Sequence, residues 1–228
     1  QRALDLIDTL LEDYPNESIL FNIQGACHAE LGSFEIAVKS YEQAIVINPG
    51  YAKAYFNLAG TLHEMQDLDA SVECYKQALK IEPKNEAVLN NLGNVYTDLD
   101  DHANAIECFG KALEIKPDYV EALYSQGSTF YDLGQLQEAI KSYEKLLIIR
   151  PSIAGVRNNL GNIYRELGDT DSAIQSYREA IKIEPKFVQA FFNLGIVLNE
   201  VSDFDDAITV YELAVNIKPD YFEAHNNL

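Results

Sequence analysis

The chain has no tryptophan, one methionine and three cysteines in 228 residues, and only 17 bases stand against 36 acids. Each shortage excludes something. A formal charge of −19 repels polyanions, and no basic stripe interrupts it, so neither nucleic acid nor an anionic membrane is an expected partner. No apolar run is long enough to cross a bilayer. Cys74 and Cys108 fall at the same place of consecutive repeated segments. Packed helix axes lie roughly 8–10 Å apart and disulfide Cα atoms within about 7 Å. No disulfide is therefore expected, which fits a reducing, cytoplasmic compartment. His28, His63, His102 and His225 are scattered, and no His/Cys set has metal-ligand spacing. Phosphate loops, H-E-x-x-H and G-x-S-x-G are all missing. We therefore expect no active site, no metal and no cofactor.

Proline is also sparse, yet its placement is the most informative feature present. All seven prolines sit on one 34-residue ruler: Pro15, Pro49, Pro83, Pro117, Pro151, Pro185 and Pro219. A fixed period of this size marks one supersecondary unit copied along the chain, with neighbours burying each other's apolar faces. Six full units follow, 18–51, 52–85, 86–119, 120–153, 154–187 and 188–221, with partial units at 1–17 and 222–228. Places within a unit are counted from these starts.

In unit 86–119, Leu89, Leu92, Gly93 and Tyr96 trace one helical face. After Asp100-Asp101, a second stripe runs through Ala105, Phe109, Ala112 and Leu113 towards Pro117, where a helix must stop. Each unit therefore reads as two short antiparallel helices. The pattern Leu89-x2-Leu92-Gly93-x2-Tyr96…Ala105-x3-Phe109…Pro117 resembles the tetratricopeptide repeat, with Leu89 in the usual tryptophan place. The resemblance covers essentially the whole chain. It implies an all-α fold, a single array forming a right-handed superhelical solenoid whose first helices line a concave groove. Small residues at the eighth place (Gly25, Ala59, Gly93, Gly127, Gly161, Gly195) should let paired helices approach. The rings Tyr41, Tyr75, Phe109, Tyr143, Tyr177 and Tyr211 should fill the space between them.

Three rows on the first helices stand apart from this core. The sixth place carries Asn57, Asn91, Asn159, Asn193 and Asn227, interrupted by Ile23 and Ser125, with Asn94 and Asn162 nearby. A carboxamide matches the N–H and C=O of a peptide unit, so such a row suits an extended main chain. It is similar to the asparagine ladder in the tetratricopeptide arm of the protein O-GlcNAc transferases. The other reading is that each Asn bonds the neighbouring unit's backbone and only stabilises the stack. The fifth place alternates Asn22, Phe56, Asn90, Tyr124, Asn158, Phe192 and Asn226; its rings belong either to the groove wall or to the core. The thirteenth place is acidic throughout: Glu30, Glu64, Asp98, Asp132, Glu166 and Glu200. Acids in a last turn oppose the helix dipole, so they are expected either to pair between helices or to form a negative rim.

Lys53 and Arg165 are the only inward bases, too few for the carboxylate clamp of the family's chaperone-binding members. Unit 154–187 departs most from the pattern. Arg157 replaces the large apolar residue, Gly155 lies two before it, and Leu146 replaces the small residue late in the preceding helix, so the stack is expected to shift or soften there.

These readings converge on a non-catalytic scaffold binding a neutral to basic, extended peptide or protein segment. Two alternatives remain open: the substrate-recruiting arm of a larger glycosyltransferase-like enzyme, and a module that self-associates end to end. The chain opens inside a second helix and stops inside a first, so it is expected to be part of a longer protein.

Overall fold

The computed structural model describes residues 2–228, and all regular structure among them is α-helical. The chain divides into two compact units, 1–125 and 126–228, with the division inside α8 (Val120–Asp132).

The first unit holds α1 (Arg2–Asp13), α2 (Ser18–Glu30), α3 (Phe34–Ile47), α4 (Ala52–Glu64), α5 (Leu68–Ile81), α6 (Glu86–Asp98) and α7 (His102–Ile115). Consecutive helices pack in pairs, α2 on α3, α4 on α5 and α6 on α7. Each pair also packs on the next through α3–α4 and α5–α6. The second unit holds α9 (Leu136–Ile149), α10 (Ala154–Glu166), α11 (Thr170–Ile183), α12 (Val188–Glu200), α13 (Phe204–Ile217) and α14 (Phe222–Asn227). There α10 pairs with α11 and α12 with α13.

Local chemistry fixes these boundaries. The second helix of every full unit ends at an isoleucine two residues before a proline: Ile47, Ile81, Ile115, Ile149, Ile183 and Ile217. The first helix of every full unit ends in a Schellman turn. The backbone N–H three residues beyond its last residue donates to a carbonyl five residues back, as in Ser33 to His28 (2.9 Å) and Asp203 to Leu198 (2.8 Å). The turn needs one left-handed residue, supplied by Gly32, Gly134 and Gly168 and, less comfortably, by Gln66, Asp100 and Ser202. Three second helices, α5, α7 and α11, start on aspartate caps: Asp67, Asp101 and Asp169 accept from the backbone N–H groups of Ala70, Asn104 and Ser172.

The core is built as the small-residue row requires. A Cβ added at Gly93 would lie 2.5 Å from the Phe109 ring, and one at Gly161 would lie 2.5 Å from the Tyr177 ring. Tyr75, Phe109, Tyr143, Tyr177 and Tyr211 are essentially fully buried. Burial of a ring this size is worth about 1.5–3 kcal/mol, so these contacts account for much of each pair's cohesion.

One junction differs. Leu146 is completely buried where alanine stands in the five other units, and α10 packs more loosely on α9 than α12 does on α11. Of the shift or softening expected at unit 154–187, the structure shows this wider junction.

Candidate functional site

Helical periodicity brings the fifth, sixth, ninth, twelfth and thirteenth places onto one flank of each first helix, and a polar network covers that flank in both compact units.

In the first unit, Asn57 donates through Nδ2 to Oδ1 of buried Asn22 (2.9 Å), one repeat back. Asn90 donates to Asn91 (3.3 Å), and Asn91 shares a hydrogen bond with the Tyr75 hydroxyl. Burial pushes that hydroxyl's pKa up, and the Asn91 contact draws it back. Buried Asn90 leaves its Oδ1 without a partner. Phe56 meets Tyr75 edge to face (5.9 Å between centroids), and the Lys53 ammonium sits 4.4 Å over the Phe56 ring. His63 Nε2 contacts Asp98 Oδ2 at 2.5 Å. Asn94 is half-buried, Glu30 and Glu64 are exposed, and Tyr124 is 43% exposed.

In the second unit the network is denser. Asn159 donates to the Tyr143 hydroxyl (3.2 Å) and Asn227 to the Tyr211 hydroxyl (3.1 Å). The Tyr177 hydroxyl donates to Asn162 (2.8 Å). Asn193 donates to both Asn158 (3.0 Å) and Asn162 (3.1 Å) and accepts from Gln189 (3.1 Å). Arg165 holds Glu200 through Nε (3.0 Å) and Nη2 (2.6 Å), and the Tyr131 hydroxyl donates to Glu166. Tyr131, Asn162, Arg165, Glu166, Asn193 and Glu200 together line an open polar cavity of about 490 Å³. Burial, then the hydrogen bond and charge of Glu166, push the Tyr131 hydroxyl up to about 12, so it remains a donor throughout the physiological range. The Glu200 contact likewise raises the Arg165 pKa.

Profiles of the family described as TPR repeat match residues 27–66, 60–100 and 161–202. Profiles described as tetratricopeptide repeat match 85–152 and 188–221. The chain is a tetratricopeptide-repeat protein.

Solved structures agree. MamA is 26% identical with a TM-score of 0.69 over 73% of this chain and 97% of its own. YrrB, a TPR protein with an unusual peptide-binding site, is 22% identical with a TM-score of 0.69 over 83% and 97%. The C-terminal part of a TPR repeat-containing protein from Cytophaga hutchinsonii is 16% identical with a TM-score of 0.83 over 99% and 93%. No curated protein sequence matches the chain. Among the described residues no helix is long and apolar enough to cross a membrane. No His, Cys, Asp and Glu group there is placed to hold a metal. Cys27, Cys74 and Cys108 are free thiols, and burial pushes Cys74 and Cys108 up to about 11, so they are poor nucleophiles.

Each asparagine of the sixth place bonds a side chain of the preceding unit and so also ties neighbouring units together. Those partners are the preceding unit's ring hydroxyl or asparagine. The aromatic row is mixed. Phe56 and Phe192 are half-buried against Tyr75 and Tyr211, and Tyr124 is 43% exposed. Among the acids, Asp98, Glu166 and Glu200 are each paired with the twelfth-place residue of the preceding unit: His63, Tyr131 and Arg165. For these three acids the pairing between helices left open by the sequence is met; its 35-residue register was not read, although a donor immediately before each acid one repeat earlier was its signal.

Proposed function

We propose that the first-helix face of each compact unit holds an extended, neutral to basic peptide segment, making the chain a non-catalytic interaction scaffold. The observation that carries this reading is the polar network itself. Asn57, Asn91, Asn159, Asn193 and Asn227 are fixed by internal partners while each retains further donor or acceptor capacity. A held carboxamide loses little entropy when it grips a main chain, which is what preorganisation contributes to affinity. Asn94, Asn162, Phe56, Tyr124 and Phe192 extend the same flank with amides and ring surface. YrrB, of the same fold, carries a peptide site. The acids Glu30, Glu64, Asp98, Asp132, Glu166 and Glu200 outnumber Arg165 and Lys53, the Lys and Arg side chains on this face among the described residues, and so bias it towards basic segments.

The test replaces Asn57, Asn91 and Asn159 together with alanine and reads peptide-array binding and thermal stability. Array binding should fall at least about tenfold. Each lost hydrogen bond costs about 1 kcal/mol, so the melting temperature should fall by less than about 10 °C. Unchanged binding, or a larger melting drop, would return the asparagines to a purely structural role. Affinity should also decline as salt rises, because an exposed electrostatic attraction is screened. Acidic peptides binding best would sink the assignment.

A further inference from the structure

A second cavity, of about 480 Å³, opens away from the first-helix flank, between α9, α10 and α11. Its position follows from the departures in unit 154–187. In the other full units the fourth place carries a large apolar residue, as Phe191 does at 7% exposed. Here that place is Arg157, and buried Leu146 occupies the small-residue place opposite. The loosened junction leaves Leu147, Ile148, Leu160 and Tyr164 along the cavity, with Ile148 81% exposed.

The polar groups there are unevenly satisfied. Arg157 Nη1 is bound to Glu179 at 2.8 Å, while Arg157 Nε is buried with no acceptor. Glu144 lines the cavity with no ion pair among the described residues. Beside the Arg157–Glu179 pair, it leaves the pocket one negative charge in excess. Ser172, Gln175 and Ser176 line the α11 wall with hydroxyl and amide groups. Together these supply apolar volume, an uncompensated carboxylate and an unmet donor.

We propose that this pocket is a second binding site, taking an apolar residue with an adjacent basic residue from a partner polypeptide. The apolar side chain fills the space that the repeat's usual large residue leaves vacant. The basic side chain pairs with Glu144, and a main-chain carbonyl meets the orphaned edge of Arg157 and the polar row of α11. The size suits one or two residues, at the small end of ligand pockets of about 300–1,000 Å³. This site is independent of the first-helix flank, so either assignment can fail without the other.

Amide chemical shifts of the isotope-labelled full chain, titrated with blocked dipeptides, provide the test. Acetyl-Leu-Arg-amide should perturb residues 144–148, 157–164 and 172–179. Acetyl-Leu-Glu-amide should bind those residues roughly two- to five-fold more weakly, the value of an exposed ion pair. Glu144→Gln should erase that preference and leave the fold unchanged. Arg157→Leu should fill the pocket and abolish both titrations. Should that variant fail to fold, Glu144→Gln alone still decides the matter. Perturbations confined to the first helices' polar flank, equal binding of both dipeptides, or binding that survives in a folded Arg157→Leu protein would overturn the proposal. Arginine amide binding as tightly as the dipeptide would overturn the polypeptide assignment.

Discussion

Two junctions of the second compact unit, built on the same 34-residue pattern, end in opposite states. Between α11 and α12 the small place is Ala180 and the fourth place is Phe191, and the ring seals into a core with Tyr177, Leu194 and Leu198. Between α9 and α10 the same places are Leu146 and Arg157, and a cavity opens. Large opposite small gives a dry interface, whereas a branched side chain opposite a half-buried guanidinium holds the helices apart. The repeat therefore tolerates a local exchange of core for pocket while its helix pairing persists. Close packing transmits such a change to its immediate neighbours, and each unit touches only those, so the disturbance stays local.

That comparison breaks most directly at its buried leucine. Leu146→Ala should cost about 2–5 kcal/mol, because a completely buried leucine would leave a void. Combining it with Arg157→Leu should recover part of the loss, since both side chains belong to one junction and their effects couple. Urea unfolding of the single and double variants measures this, and strict additivity would show that the two residues do not cooperate in holding the junction open. The reciprocal change, Ala180→Leu, should destabilise by about 1–3 kcal/mol through overpacking at a junction with no room.

A smaller effect separates the turns that precede α11 and α13. Both use a left-handed residue, Gly168 with φ 76° and Ser202 with φ 65°. Gly168→Ala should destabilise by about 1 kcal/mol, and Ser202→Gly should stabilise by up to about as much. Opposite shifts in the urea midpoint are the expected readout; shifts of the same sign would mean that turn conformation does not set the difference.

The fold was legible because its signals are local and repeated. Prolines two residues past each second helix, and small residues facing large rings, need only backbone sterics to be read. The weak junction was legible for the same reason, as Leu146 and Arg157 break a pattern that the other units keep. What lies on it was not, because the cavity depends on how far α9 and α10 separate. The polar flank was legible as rows but not as bonds. Whether Asn193 reaches Asn158, or Glu200 reaches Arg165, depends on the offset between adjacent first helices, which no single unit's sequence contains. The partner spacing of 35 residues, one more than the period, records that offset.

The smallest effect concerns two aspartates at equivalent places. Asp169 caps α11 by accepting from the Ser172 N–H at 3.1 Å, whereas Asp203 precedes α13 without a side-chain cap bond. The hydrogen bonds from Ser172 hold the Asp169 carboxyl below its ordinary 3.8. A carboxyl whose pKa is lowered by folding contributes stability that is fully present above its unfolded value. That contribution is lost as the pH falls through the folded value. Asp169→Asn keeps a capping oxygen but removes the charge, so the variant should lose less stability than the parent as the pH drops below about 4. Asp203→Asn, at a turn with no side-chain cap bond to alter, is the reference substitution. Urea midpoints measured from neutral pH down to about pH 2 compare the two. An acid limb altered equally by both substitutions would mean that the side-chain cap bond at α11 does not distinguish these turns.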